Sequence, residues 1–170
     1  MTAMNQSIAV GTHVMYGKTG VCLVQEQKTI KVGRESNTYY VLCPVSDGRS
    51  CVYVPCDNAD LVARMRPLLT KEEIDALLSD ADAEHQPWLD DRNQRATLYR
   101  TAAADGDRRH LIRVICCLFR KKHERQELGK QLSTMDDAAL QECMRLIDEE
   151  FSLVLNIPRS DVVNYILERI

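Results

Sequence analysis

The sequence predicts an α+β protein in which a small N-terminal β-barrel, SH3-like or Tudor-like, precedes an all-α helical domain. Two periodicities carry this. The first 60 or so residues alternate with a period of two and are cut by glycine turns, as half-buried strands are. From Leu68 onward apolar residues recur at helical spacing, with start and stop signals between the runs. The expected division is a β-barrel at 1–67, a short helix and linker at 68–83, and a helical domain at 84–170.

In order, "THVMYG" leads through "KTG" into "VCLVQEQKTI", then "NTYYVLCPV", "DG" and "SCVYVP". Asp47-Gly48 between two β-rich runs signals a hairpin, and flanking Ser46 and Arg49 allow a longer loop. Period two puts Cys51 and Tyr53 on one face of the following strand and Val52 and Val54 on the other. Pro55 closes that strand because it has no N–H to donate. In "TKEEIDALL", Thr70 and Glu73 have capping-box spacing ahead of Ile74, Leu77 and Leu78. Residues 80–87 read as a connector. Three longer helices follow at about 90–104, 108–127 and 136–155, and a shorter one at about 159–169. Gly106 ends the first and Asp107 caps the second. Thr134 with Asp137 is placed to cap the third, and Pro158 to open the last.

Composition narrows the function. With 45% hydrophobic and 28% charged residues this is an ordinary globular chain. No apolar run approaches the roughly 20 residues that span a bilayer. The N-terminus lacks the basic start and apolar block of a signal peptide, so a cytoplasmic protein is expected. The seven cysteines contain no C-x-x-C pair, and their odd number argues against a complete disulfide framework. Cys43, Cys51 and Cys56 lie in or just after strand-like runs, which suits small buried thiols.

The net charge of −3 conceals a division. Residues 85–131 hold eleven Lys and Arg against six Asp and Glu, whereas residues 1–84 and 132–170 are both acidic. Within "RRHLIRVICCLFRKKHERQ", Leu111, Val114, Ile115 and Leu118 form a core stripe. Arg109, Arg113 and Arg120 fall within about 40° of one another over about 16 Å of helix. Lys121, Lys122 and Arg125 extend the charge beyond them. Such a row can meet successive phosphates and release counterions. Equally, it can pair with the acidic last third, where Glu149 and Glu150 are available.

Enzyme signatures are missing: there is no glycine-rich phosphate loop, no H-E-x-x-H and no G-x-S-x-G. "GKTG" at 17–20 lies in a β-turn setting, and the four histidines are scattered. No catalytic residue, metal site or cofactor is assigned. The only tryptophan, Trp88 in "HQPWLDDRNQR", is either a plug for a small core or a tool aimed at a partner.

The run "GTHVMYGKTGVCLV", then "YYVLCPV", "VYVPCDNADLVARMRPLL" and "ADGD" resembles the CarD family of bacterial transcription regulators, from about Gly11 to Ile170. The resemblance implies a Tudor-like domain that docks on the RNA polymerase β subunit by edge-strand pairing. It further implies a helical domain laid against promoter DNA beside the melted region, stabilising the open complex without catalysis. The polymerase-binding surface would involve Lys28, Ile30, Lys31 and Tyr53, with Tyr53 where the family tends to have arginine. The family's aromatic wedge maps to Trp88, here about one helical turn further from the "GD" punctuation. Asp90 and Asp91 replace the basic residues that usually follow it, and Arg92 and Arg95 come later. DNA contacts would then come from Trp88, Arg92, Arg95, Arg109, Arg113, Arg120, Lys121 and Lys122; alternatively Trp88 covers the junction between linker and first helix. The expected protein is a monomer that binds RNA polymerase and, weakly and salt-dependently, promoter DNA, with no membrane association. The rival reading is a protein–protein interaction adaptor without direct DNA contact.

Overall fold

The computed structural model describes residues 8–170; residues 1–7, on which part of the signal-peptide expectation and the start of the 1–67 domain rest, lie outside them. The chain divides into one unit ending at Leu68 and a second spanning Leu69–Ile170.

In the first unit β1 (His13–Tyr16), β2 (Gly20–Val32), β3 (Glu35–Pro44), β4 (Val52–Pro55) and β5 (Met65–Pro67) form one antiparallel sheet. Their order is β4-β3-β2-β1-β5, so β4 and β5 are edges and the sheet is not closed. The expected β-barrel is thus not confirmed: among the described residues the strands form an open five-stranded sheet. Strand length explains the difference. β4 has four residues and β5 three, each ending in proline, and neither offers the continuous ladder that closure requires.

The period-two reading of the strands holds. Val14, Cys22, Val24, Tyr40, Leu42, Val54 and Met65 are buried together, and Leu61 and Val62 from the short helix α1 (Ala59–Ala63) pack against them. The side chain of Asn58 accepts a hydrogen bond from the N–H of Leu61 and caps that helix. Gly20 makes the β1–β2 turn at φ 85°, a conformation that a side chain disfavours.

The β3–β4 connection is the longer of the two possibilities, residues 45–51, with Asp47 accepting from the N–H of Arg49. Leu42 pairs with Val52, which puts Cys43 opposite Cys51, and the two are joined by a disulfide. Both are half-buried, so the expectation of buried thiols at these positions is corrected; Cys56 remains a half-buried thiol. Their Cα atoms are 4.4 Å apart, close to the spacing of about 4.5 Å in a non-hydrogen-bonded antiparallel pair. Closing so short a loop stabilises the fold by about 2–3 kcal/mol in the chain-entropy picture.

The second unit is all helix: α2 (Lys71–Ala83), α3 (Arg92–Asp105), α4 (Arg108–Glu127), α5 (Thr134–Leu155) and α6 (Arg159–Leu167). The capping box of Thr70 and Glu73 forms in both directions. Helix α2 is more than a connector, since Ile74, Leu78 and Ala81 belong to the helical core. Gly106 ends α3 in the left-handed region at φ 60°, and Asp107 caps α4. Ser133, one residue before the expected Thr134, caps α5 by accepting from the N–H of Asp136. The core stripe of α4 is buried as expected, joined by Ile112 and Cys116, and it meets Leu140, Ile147 and Phe151 of α5.

Three carboxylates of α5 are buried, Asp136, Glu149 and Glu150. Glu150 is fully buried; its oxygens accept from Arg108 Nε (3.0 Å) and Nη2 (2.8 Å) and from the N–H of Leu69 (2.8 Å). Removing Glu150 leaves the largely buried Arg108 charge, 15% exposed, without its partner. Glu150→Ala should therefore lower the unfolding free energy by about 3–5 kcal/mol, measured by urea denaturation of the full chain.

Candidate functional site

In the first unit the β2–β3 hairpin runs on past the core. β1 pairs with β2 only as far as Leu23, while β3 pairs with β2 to its end at Val32. The open side of β2 follows from antiparallel alternation. Cys56 N–H donates to the Thr38 carbonyl, so Thr38, Tyr40 and Leu42 turn their backbone groups toward β4. Asn37, Tyr39 and Val41 then exchange bonds with Ile30, Lys28 and Glu26, their register partners. The N–H and C=O groups of Gln27, Thr29 and Lys31 are left facing away from β3, along an edge that no strand covers among the described residues.

The side chains of this hairpin sort by face. Lys28 lies opposite Tyr39, and Val41 opposite Tyr53, so Lys28, Ile30 and Tyr53 share the face away from the core. Tyr39 and Tyr53 meet edge to face at 6.2 Å between ring centroids. Lys31 is on the other face. Val32 continues the first row and is 74% exposed, as Tyr53 is at 46%. Val32 and Tyr39 were not singled out from sequence, although period two from Ile30 reaches the former.

In the second unit the basic residues of α4 are unequally free. Arg109 pairs with Asp80 at 3.3 Å, and Arg113 pairs with Glu84; both acids come from α2 and its end, and not from the acidic last third. Glu150 is taken by Arg108, and Glu149 lies 4.0 Å from Arg159. Lys121 bonds Glu124. Among the described residues no ion pair engages Arg92, Arg120 or Lys122, and Arg92 and Arg120 are exposed.

Trp88 is half-buried and packs against the helical core. The Arg95 guanidinium lies 4.5 Å from its ring centroid and Lys121 Nζ 5.0 Å, both within cation–π range. Lys121 sits about 100° round α4 from Arg120, so the indole touches the flank of the arginine row. Arg95 does more than cover the ring. Its Nη1 donates to the carbonyls of Leu89 and Asp90, and its Nε and Nη2 to the buried Asp136. Asp91 caps α3 by accepting from the N–H of Gln94, which accounts for an aspartate so close to the tryptophan.

Asp136 also accepts from Tyr99 (2.7 Å) and Ser133 (2.5 Å). Burial alone would raise its pKa, but the hydrogen bonds from Arg95, Ser133 and Tyr99 outweigh it and hold the carboxyl below its ordinary value. Burial first, and then the bond to Asp136, push the Tyr99 phenol upward. Among the described residues no group of His, Cys, Asp and Glu could hold a metal ion, and no helix is long and apolar enough to cross a membrane.

Residues 8–69 match the family model described as CarD-like/TRCF RID domain. No curated protein matches the chain.

A carboxylate with a depressed folded-state pKa stabilises the fold above its unfolded pKa and ceases to as pH falls through the folded one. Wild type should therefore exceed Asp136→Asn in stability at pH 7. That margin should shrink as pH falls below about 4, the unperturbed aspartate range, in thermal melts of both proteins across pH 2–7.

Proposed function

We propose that this chain, whose residues 8–69 are a CarD-like/TRCF RID domain, is a transcription regulator that binds the RNA polymerase β subunit and promoter DNA and stabilises the open complex. The domain family implies interaction with RNA polymerase and is not enzymatic. The observation that supports the docking mode is the uncovered edge of β2, where Gln27, Thr29 and Lys31 turn backbone donors and acceptors outward beside a face carrying Lys28, Ile30 and Tyr53. Strand addition to such an edge takes its affinity from main-chain bonds and its selectivity from alternate side chains.

The helical unit supplies the DNA contact in this reading, through Arg92, Arg120 and Lys122, with Trp88 held beside them. Arg109 and Arg113, already paired with acids, contribute less. Binding to DNA alone is then weak, and attachment to polymerase raises its effective concentration. The protein works as a monomer. The adaptor reading, with no direct DNA contact, draws on the Asp80 and Glu84 pairs and on the packing of Trp88 against the core.

Three measurements test this. Thr29→Pro removes an N–H that the β2–β3 ladder does not use, so the hairpin should persist while affinity for polymerase falls at least about tenfold; Thr29→Ala should change it by less than about twofold. Adding the wild-type chain should lengthen the lifetime of an open promoter complex, and Trp88→Ala should shorten that gain. In polymerase–promoter binding, Arg120→Ala with Lys122→Ala should make the log–log salt slope shallower by about 1–2. An unchanged slope with unchanged stability favours the adaptor.

A further inference from the structure

We propose that the Cys43–Cys51 bond is a reversible thiol–disulfide site that sets how firmly β4 is held to the sheet, its exchange partner being a low-molecular-weight dithiol or its disulfide. The pair lies on the face away from the core, in line with Tyr53, at the point where the 45–51 loop enters β4. Both sulfurs are in half-buried residues and so are accessible to a small thiol. β4 is an edge strand of four residues held to β3 alone, and the disulfide is the only covalent tie across that pair.

The surroundings suit both oxidation states. A β-bulge between Val24 and Glu26 sets Gln25 on the same face, with its Oε1 2.7 Å from Cys43 Sγ and 4.0 Å from Cys51 Sγ. When the bond is reduced, that carbonyl is an acceptor already in place for a thiol S–H. The other five cysteines are thiols. Four of them are poor competitors: burial pushes Cys116 up to about 11 and Cys143 up to about 12, and raises Cys56 and Cys117.

The exchange balances without further reactants. One thiolate of the dithiol attacks one sulfur of the pair; the other leaves as a thiolate and takes a proton from solvent. The second thiol of the reagent then displaces the remaining cysteine and closes the reagent's own disulfide. Two electrons and two protons pass to the protein. The consequence is mechanical. Without the tie, β4 is held by the hydrogen bonds of Val52, Val54 and Cys56 to β3 and by the packing of Val54 in the core, and Tyr53 is presented by a looser strand. That this loosening weakens polymerase docking rests on the proposed function above.

The test uses the full native chain in mixtures of reduced and oxidised dithiothreitol, quenched in acid and then alkylated in denaturant. Mass spectrometry should count five thiols in the oxidised limit and seven in the reduced one, the new pair mapping to Cys43 and Cys51, with circular dichroism unchanged. Amide exchange at Val52 and Val54 should accelerate by about tenfold or more on reduction, while Val24, bonded to Thr12, keeps its rate. Cys43→Ser with Cys51→Ser should show the fast rates at every redox ratio. Reduction only together with global unfolding, or equal β4 exchange in both states, overturns the proposal. Weaker polymerase binding by the reduced chain supports the link to docking, and equal binding in both states overturns that link. If neither state binds polymerase, the docking reading fails while the thiol count and exchange rates still decide the site.

Discussion

Helix α5 buries three carboxylates, and the helical unit is arranged around answering two of them, Asp136 and Glu150. They are fourteen residues apart, which places them within about 40° of each other on one side of the helix and about 21 Å apart along it. Each would cost several kcal/mol if left unpaired, so the partner must arrive in good geometry. Arg95 and Tyr99 of α3 answer the first; Arg108, in the first turn of α4, and the backbone just before α2 answer the second. Apolar burial alone would allow these helices to slide against α5. Two oriented pairs, one near each end, fix their register. Trp88 inherits that order, because the arginine that serves Asp136 also lies over the indole.

Much of this was legible in the sequence, for local reasons. Period two separated Val52 and Val54 from Cys51 and Tyr53, and Gly106 with Asp107 marked the α3–α4 corner. Asn58 and Gly20, part of the pattern behind the family resemblance, have structural duties as a helix cap and a turn. What escaped was long-range. The partners of Arg109 and Arg113 lie 29 residues away in the chain, and spacing along one helix cannot say which acids another helix presents. The disulfide needed the β3–β4 register, which a loop of uncertain length left undetermined. Closure of the sheet likewise depended on how short β4 and β5 are, a property of their ends and not of their alternation.

The candidate surfaces differ in how sequence could reach them. Lys28, Ile30 and Tyr53 fall on one face because strand parity and register agree, and parity was readable. The more informative feature is the run of outward backbone groups on β2, and no side-chain pattern encodes it. It exists because β1 is short while β2 and β3 run on together past the core. An edge of this kind is a hazard that proteins usually cover or charge. Among the described residues it is left bare between Gln27 and Lys31, as the proposed strand addition requires.

The pairing of Arg109 and Arg113 changes the electrostatic argument more than the count of charges does. Two arginines of the row are satisfied by Asp80 and Glu84, which leaves a weaker, off-centre field from Arg92, Arg120 and Lys122. Under the proposed function a weak field suits a domain delivered by its neighbour, since strong free binding to DNA would compete with delivery. Trp88 fits the same logic. Clamped between the core and two cations, the indole has lost most of its rotamer freedom before any partner arrives, so a contact there incurs little further ordering cost. The same clamping would serve a purely structural plug. The two roles differ in what happens to the open complex when the ring is removed and the Arg95–Asp136 pair is left in place.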